Sequence, residues 1–336
     1  MRTITSLFPR KVIEEADESV DKEALLQSIG LSRNQPVDPT HMIAVEPFFG
    51  FLEQLVKADP LGITIPLRVG AAMRCDDYGA FGLAWKSATT LRGSYDRAER
   101  YAQVMGNEST YDVEPTAEGA FMQLHRFGER QLGMRISNEA HFASIMAISQ
   151  QVASAPFQPL AVFFKHAAPS TVAYHEAYFG CPVHFSSDRD ALLVSNQTLD
   201  TPNLLGDLGL SRFFETHLEA EVEALGDALP LDRQVRDHVV TRLSEGLPSI
   251  SDVAHHLGMS ARTLQRRLGE RGLAFQTLVD DARRQLAHRL LRQTTFSLID
   301  VAFMTGFSGQ SAFTRAFKRW AGQTPRSYRL QAQPNG

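Results

Sequence analysis

Two short runs of side chains have the donors and the spacing to read the edges of nucleic-acid bases. Arg262, Gln265 and Arg266 lie three and four positions apart, so a helix would carry them on one face. An arginine fork matches the two acceptors of guanine, and a glutamine amide matches the acceptor and donor of adenine. Further along, Gln310, Ser311, Thr314 and Arg315 make a similar but shorter and less charged set, better suited to phosphate positioning and methyl contacts. Other reactive residue types do not converge. His125, His141, His166, His175 and His184 show none of the spacings that zinc ligation uses. Cys75 and Cys181 stand far apart with no Cys-x-x-Cys, and no nucleophile elbow, phosphate loop or dinucleotide fingerprint is present. No catalytic activity, metal or cofactor is expected.

The elements that must carry the two runs repeat. SISDVAHHLGMSARTLQRRL (249–268) and SLIDVAFMTGFSGQSAFTRAF (297–317) match at a spacing of 48 through Ser260/Ser308, then at 49 through Leu264/Phe313 and Leu268/Phe317. The second copy therefore has one extra residue at the start of its second helix. Ser249 and Ser297, each with an Asp three residues on, predict capping boxes. Gly258 and Gly306 suit the left-handed turn that ends a helix, and Ser260 and Ser308 are placed to cap the next one. Leu264 and Leu268, like Phe313 and Phe317, are four apart and predict an inward face, opposite the Arg- and Gln-rich one. Each copy reads as a helix-turn-helix whose second helix enters a major groove; a helical hairpin with no DNA contact is the weaker alternative. Between them, FQTLVDDARRQLAHRLLRQ has Phe275, Leu278, Val279, Ala282, Leu286 and Leu290 at helical spacing. A linking helix of about 17 residues, roughly 25 Å long, could set two recognition helices into successive grooves of one DNA face.

Charge is divided in the same place. From Asp232 to Gln331 the chain has 16 Lys and Arg against 8 Asp and Glu; the remainder has 18 against 30. A basic module on an acidic body gains phosphate affinity where it is needed. The full 336 residues call for two domains, and 43% hydrophobic with 21% charged residues describes a globular chain. No apolar run reaches the roughly 18 to 20 residues of a membrane span, and charges interrupt the N-terminus where a signal peptide needs its apolar stretch. With so few cysteines, the cytoplasm is the expected location.

The stretch GFSGQSAFTRAFKRWAGQTPRSYR closely resembles the signature of the AraC/XylS family of bacterial transcription regulators. The likeness extends from about Asp232 to Leu330. It implies seven helices forming two helix-turn-helix units, about 249–270 and 297–320, with a last helix entered through Thr324–Pro325 and closed around Tyr328. Carried over position by position, Arg262, Gln265 and Arg266 face DNA from the first recognition helix, and Gln310, Ser311, Thr314 and Arg315 from the second. Phe307, Phe313, Phe317 and Trp320 fall on packing positions. Arg315, two residues after Phe313, could point at a base or back at the linking helix.

Before residue 205 the chain reads as α+β, with helices and an antiparallel sheet. Short helices broken by Pro and Gly precede a helix over 91–105. A hairpin follows, from Thr110–Glu114 and Ala120–Phe127 around the turn TAEG. Asn138–Val152 and Thr171–Phe179 read as helices, and Leu160–His166, Pro182–Phe185 and Ala191–Ser195 as strands. Thr201–Leu225 looks helical, and GDALPLDRQ beyond it looks like a linker. DDYGAFGLAWKSATTLRGSYDRAERYAQVM, FQPLAVFFKHAAPSTVAYHEAYFGCPVHF and DALLVSNQTLDTP resemble the "arabinose-binding" type of N-terminal domain found in some of these regulators, over roughly 24–205. That name does not make arabinose the ligand. The resemblance implies a sensor and dimerisation domain over 1–225, a linker over 226–232 and a DNA-binding domain over 233–331. Trp85, Tyr95, Tyr101, Tyr111, Phe121, Phe127 and Phe142 could line a ligand pocket or simply fill the core. The expected partners are double-stranded promoter DNA, RNA polymerase, a small-molecule effector and a second copy of the chain. The expected role is transcriptional activation, with repression, or co-regulation through a protein partner of the N-terminal domain, as the alternative.

Overall fold

Pro and Gly interrupt the apolar pattern of the first hundred residues, and the chain there folds into short helices. These are α1 (Leu7–Glu14), α2 (Lys22–Gln27), α3 (Val45–Ala58), α4 (Ile65–Ala72), α5 (Gly79–Ser87) and α6 (Leu91–Tyr101). The computed structural model describes residues 2–36, 38, 41–126, 131–225 and 231–332. It divides into two units, Met1–Gly226 and Asp227–Gly336. Helix α6 stops at Tyr101, and residues 102–105 tighten into a 3₁₀ turn rather than continuing it. β1 (Thr3–Thr5) and β2 (Met42–Ala44) form a small antiparallel pair.

The alternating segments form the main sheet. β3 (Ser109–Pro115) and β4 (Gly119–Arg126) make the expected hairpin, with Thr110 opposite His125; Phe127, the expected end of the second strand, lies outside the described residues. The elements α7 (Leu132–Val152), β5 (Ala161–Phe163), α8 (Ala173–Phe179), β6 (Val183–His184), β7 (Ala191–Ser195), α9 (Asn196–Leu199) and α10 (Leu208–Leu225) complete the unit. The strand order is β3-β4-β7-β5-β6, antiparallel except that β5 and β6 are parallel. The sheet is thus antiparallel in the main, as expected; in the one parallel pair, α8 lies between the strands in sequence and supplies the long crossover such a pair requires.

Helix α10 begins at Leu208, not at Thr201. The preceding segment is held extended, with Leu91 donating to the Thr201 carbonyl, Asn203 to that of Thr89 and Leu204 to that of Val152. The Asp207 carboxylate then accepts from the Leu210 N–H at 2.7 Å and starts the helix. Trp85, Tyr95, Tyr101, Phe142 and Phe164 fill the core between the sheet and the helices.

Basic, amphipathic sequence builds the second unit from helices alone: α11 (Leu231–Arg242), α12 (Ile250–His256), α13 (Ala261–Gly269), α14 (Phe275–Gln293), α15 (Leu298–Met304), α16 (Gln310–Ala321) and α17 (Pro325–Ala332). Leu231 and Asp232, expected in the linker, are buried in the first turn of α11, where Asp232 pairs with Arg236 at 2.5 Å. The rest of the expected linker, 226–230, lies outside the described residues. Two small cores result. Val253, Leu264, Leu268, Leu278 and Val279 share one, while Ala287, Leu291, Val301, Phe313 and Phe317 share the other. Helix α14 contributes its first half to the first core and its second half to the second.

In the N-terminal unit, α4 packs on α7 at close to backbone contact. A Cβ on Gly70 would stand 2.2 Å from the Ala143 Cβ and 2.7 Å from the Ser144 backbone nitrogen. Gly70→Ala must therefore separate the two helices. We expect about 1–3 kcal/mol of destabilisation, read as a lower urea midpoint for the transition of the N-terminal unit.

Candidate nucleic-acid interface

Local backbone chemistry forms both helix-turn-helix units. The Ser249 hydroxyl accepts from the Asp252 N–H at 3.2 Å, and the Asp252 carboxylate accepts from the Ser249 N–H at 2.9 Å. Ser297 and Asp300 repeat this at 3.2 and 3.1 Å. Gly258 and Gly306 take φ of 66° and 73°, the left-handed turn that leads to the second helix. Ser260 caps α13 by accepting from the Thr263 N–H at 3.1 Å. Ser308 does not do the same for α16. The extra residue moves the helix start one place on, so Gly309 is the N-cap, in extended conformation and with no side chain to offer.

On α13, Leu264 and Leu268 are buried, while Arg262, Gln265, Arg266 and Arg267 are exposed. Arg266 is ion-paired with Glu270 on the same exposed face, so contact with DNA would exchange one partner for another. Such exposed pairs are weak and exchange easily. On α16, Phe313 and Phe317 are buried, Gln310, Ser311 and Arg315 are exposed, and Thr314 is half-buried. The structure thus places most of both sets at the solvent-exposed surface of their helices, Arg315 included. Lys318 and Arg319 prolong the same exposed stripe. They escaped the sequence reading, although they continue it at four-residue steps from Thr314 and Arg315.

The arginine that does engage the second turn is Arg283 of α14. It is 8% exposed. Its Nε donates to the Thr305 carbonyl at 3.0 Å and its Nη2 to the Gly306 carbonyl at 3.1 Å. The guanidinium also lies 3.6 Å from the centre of the Phe307 ring. Arg283 thereby satisfies carbonyls at the end of α15, where cations are favoured. Phe307 meets Phe313 and Trp320, and Phe317 meets Tyr328, which accounts for these aromatics as packing residues.

Residues 20–203 match the model of the arabinose-binding domain of AraC transcription regulators, N-terminal part, and residues 253–331 match a helix-turn-helix domain. This chain belongs to the AraC family of transcription regulators. It is 26% identical to the ornithine utilization regulator of Pseudomonas aeruginosa over 265 residues, 78% of this chain and 77% of that one. It is 28% identical to the transcriptional regulator VirS of Mycobacterium tuberculosis over 288 residues, 79% of this chain and 82% of that one. The crystal structure of the regulator CdpR from Pseudomonas aeruginosa aligns with 84% of this chain and 90% of its own, at 22% identity and a TM-score of 0.42. Like the rest of its family, the chain is a DNA-binding helix-turn-helix regulator.

The remaining candidates of the N-terminal unit separate. His166 and His175, nine residues apart, converge on Glu139, at 3.3 and 3.0 Å. Among the described residues, no group of three or more His, Cys, Asp or Glu is arranged to hold a metal. Tyr95, Tyr101 and Phe142 belong to the core, and Phe121 stacks edge-on against Phe163. Trp85 and Tyr111 line a cavity.

Arg283→Met keeps the stem of the side chain but withdraws both donors. The unpaired carbonyls should destabilise the DNA-binding unit by about 1–3 kcal/mol. Footprinting of the full-length variant should show protection lost first over the half of the site read by α16, with the α13 half retained. Equal loss over both halves would mean that Arg283 steadies the whole unit rather than the second turn.

Proposed function

We propose that the chain is an effector-responsive transcription factor that binds promoter DNA in the cytoplasm and activates nearby genes, with RNA polymerase as its protein partner. The observation that carries the DNA-reading part is the pair of recognition helices, α13 and α16, whose outward faces hold donors and whose inward faces feed two cores bridged by α14. Arg262, Gln265 and Arg266 are the base readers of the first half-site. Gln310, Ser311, Thr314 and Arg315 contact the second, with more of their contribution coming from phosphate.

A regulator without catalytic activity is the reading the thiols favour. Burial pushes Cys75 up to about 12 and Cys181 up to about 11, so neither offers a thiolate nucleophile near neutral pH. Among the described residues no helix is long and apolar enough to cross a membrane.

Self-association through α10 has specific support. Leu208 is 65% exposed and Phe213 67%, and Leu204, Leu205 and Leu210 are also exposed nearby. A cluster of exposed apolar side chains of this kind favours an interface. A second copy of the chain is the partner we infer. The same surface also suits the alternative reading, a repressor or co-regulator that binds another protein. Phe213→Glu should shift full-length protein from dimer to monomer in sedimentation velocity. An unchanged dimer would move the interface elsewhere, and a wild-type monomer would remove it.

The base-reading assignment is tested by binding-site selection. Gln265→Ala or Arg262→Ala should weaken binding by about 1–3 kcal/mol and relax the preference at one or two base pairs. Affinity should fall log-linearly with salt for every variant. If each substitution weakens binding equally on all sequences, α13 grips only phosphate and the assignment fails.

A further inference from the structure

A cavity of about 90 Å³ lies inside the N-terminal unit, between the inner face of the β3–β4 hairpin, α7 and the helices α1, α3 and α5. Most of its wall is apolar, from residues such as Phe8, Phe48, Leu52, Met122 and Ile148. Its polar atoms have an unusual balance. Along β4, Ala120, Met122 and Leu124 point inward, and Arg126 is the next residue on that face. The Arg126 side chain is only 4% exposed. Its Nε and Nη1 have no hydrogen-bond acceptor among the described residues. Glu108, itself buried, balances the charge at 3.7 Å from Nη1, too far for a hydrogen bond. One oxygen of that carboxylate already accepts from the Ser109 hydroxyl at 3.1 Å.

His141 of α7 also lines the cavity, and its Nε2 has no partner among the described residues. Burial first, and then the Arg126 charge, hold this imidazole down to about 3, so it is neutral at physiological pH. Tyr111, pushed up to about 12 by burial, remains protonated. The Tyr111 hydroxyl lies 3.5 Å from Nδ1, and where it donates, the His141 proton sits on Nε2. Trp85, another lining residue, has an unpartnered Nε1 as well. The Arg126 and Trp85 nitrogens are donors in either tautomer, and the His141 Nε2 is one when Tyr111 donates. Buried donors without acceptors are unfavourable and rare, and an acceptor-only ligand answers them.

We propose that this cavity is a carboxylate-binding site, in which Arg126 and the His141 Nε2–H donate to the carboxylate of a short-chain monocarboxylic acid and the apolar wall takes its alkyl group. At about 90 Å³ the cavity is small, which restricts the acid to a short alkyl chain. The assignment rests on the effector-responsive reading for its biological role, but the binding site stands or falls separately.

The test uses full-length protein and sodium butyrate, with butanol and 2-aminobutyrate as matched probes. Butyrate should raise the melting temperature of the N-terminal transition in a concentration-dependent way, and neither control should. Arg126→Gln should abolish the shift. Ala140→Leu, which fills the cavity without touching the charged groups, should abolish it too, and it decides the matter if the Arg126 variant does not fold by circular dichroism. No shift with any straight-chain acid from acetate to pentanoate overturns the site. So does an equal response to butanol, a response to 2-aminobutyrate alone, or a butyrate shift that survives Ala140→Leu. A promoter-reporter assay separates the two readings. Butyrate binding that leaves reporter output unchanged confirms the site and removes the effector role. A metabolite response that persists in both variants keeps the effector role and overturns this cavity as its site.

Discussion

The geometry of DNA reading depends on one shared helix. α14 runs 19 residues, about 28 Å at 1.5 Å per residue, and both recognition helices rest on cores that it helps to build. Leu278, Val279 and Ala282 seat one unit, while Ala287, Leu290 and Leu291 seat the other. Because the two sets lie on one continuous rod, the distance and rotation between α13 and α16 follow from helix parameters, with no flexible loop to average them. Arg283, near the middle of that rod, pins the second turn through two carbonyls and an aromatic face. A side chain that both donates and stacks leaves the turn little freedom to rotate about the helix.

Local physics was legible in the sequence and distant pairing was not. Capping boxes at Ser249 and Ser297 and the left-handed glycines at 258 and 306 involve residues only a few positions apart, so their types alone announce them. The one-residue offset between the copies was visible too, but its effect on the cap was not, since Ser308 and Gly309 are both acceptable N-caps by residue type. Arg283 gave no signal: its partners are main-chain carbonyls more than twenty residues away, and any residue at positions 305 and 306 would supply them. The β5–β6 pair escaped for a similar reason, because alternation specifies a strand's face but not its direction.

The N-terminal unit shows the same division at the level of side chains. The hairpin and α7 could be read from period, but the inward place of Arg126 required counting one step past the apolar residues of β4. Aromatic residues drew attention to a pocket and then distributed themselves between core, sheet exterior and cavity wall. The polar exceptions on apolar faces, Arg126 and His141, are the more informative class. A buried guanidinium carries a considerable desolvation penalty, which Arg126 offsets in part through the Glu108 carboxylate at 3.7 Å and the Phe49 ring at 5.9 Å.

The extra residue that replaces a serine cap with Gly309 also makes the two halves of the reader unlike. One short helix with a hydroxyl cap sits at one end of the rod, and a longer helix with an open N-terminus sits at the other. A rod with dissimilar ends has a heading. A duplex read by it cannot be a perfect palindrome within one chain's footprint, and turning the sequence around presents each half to the wrong helix. Under the proposed reading the protein would land facing one way along the DNA, and upstream and downstream would become distinguishable to a single polypeptide.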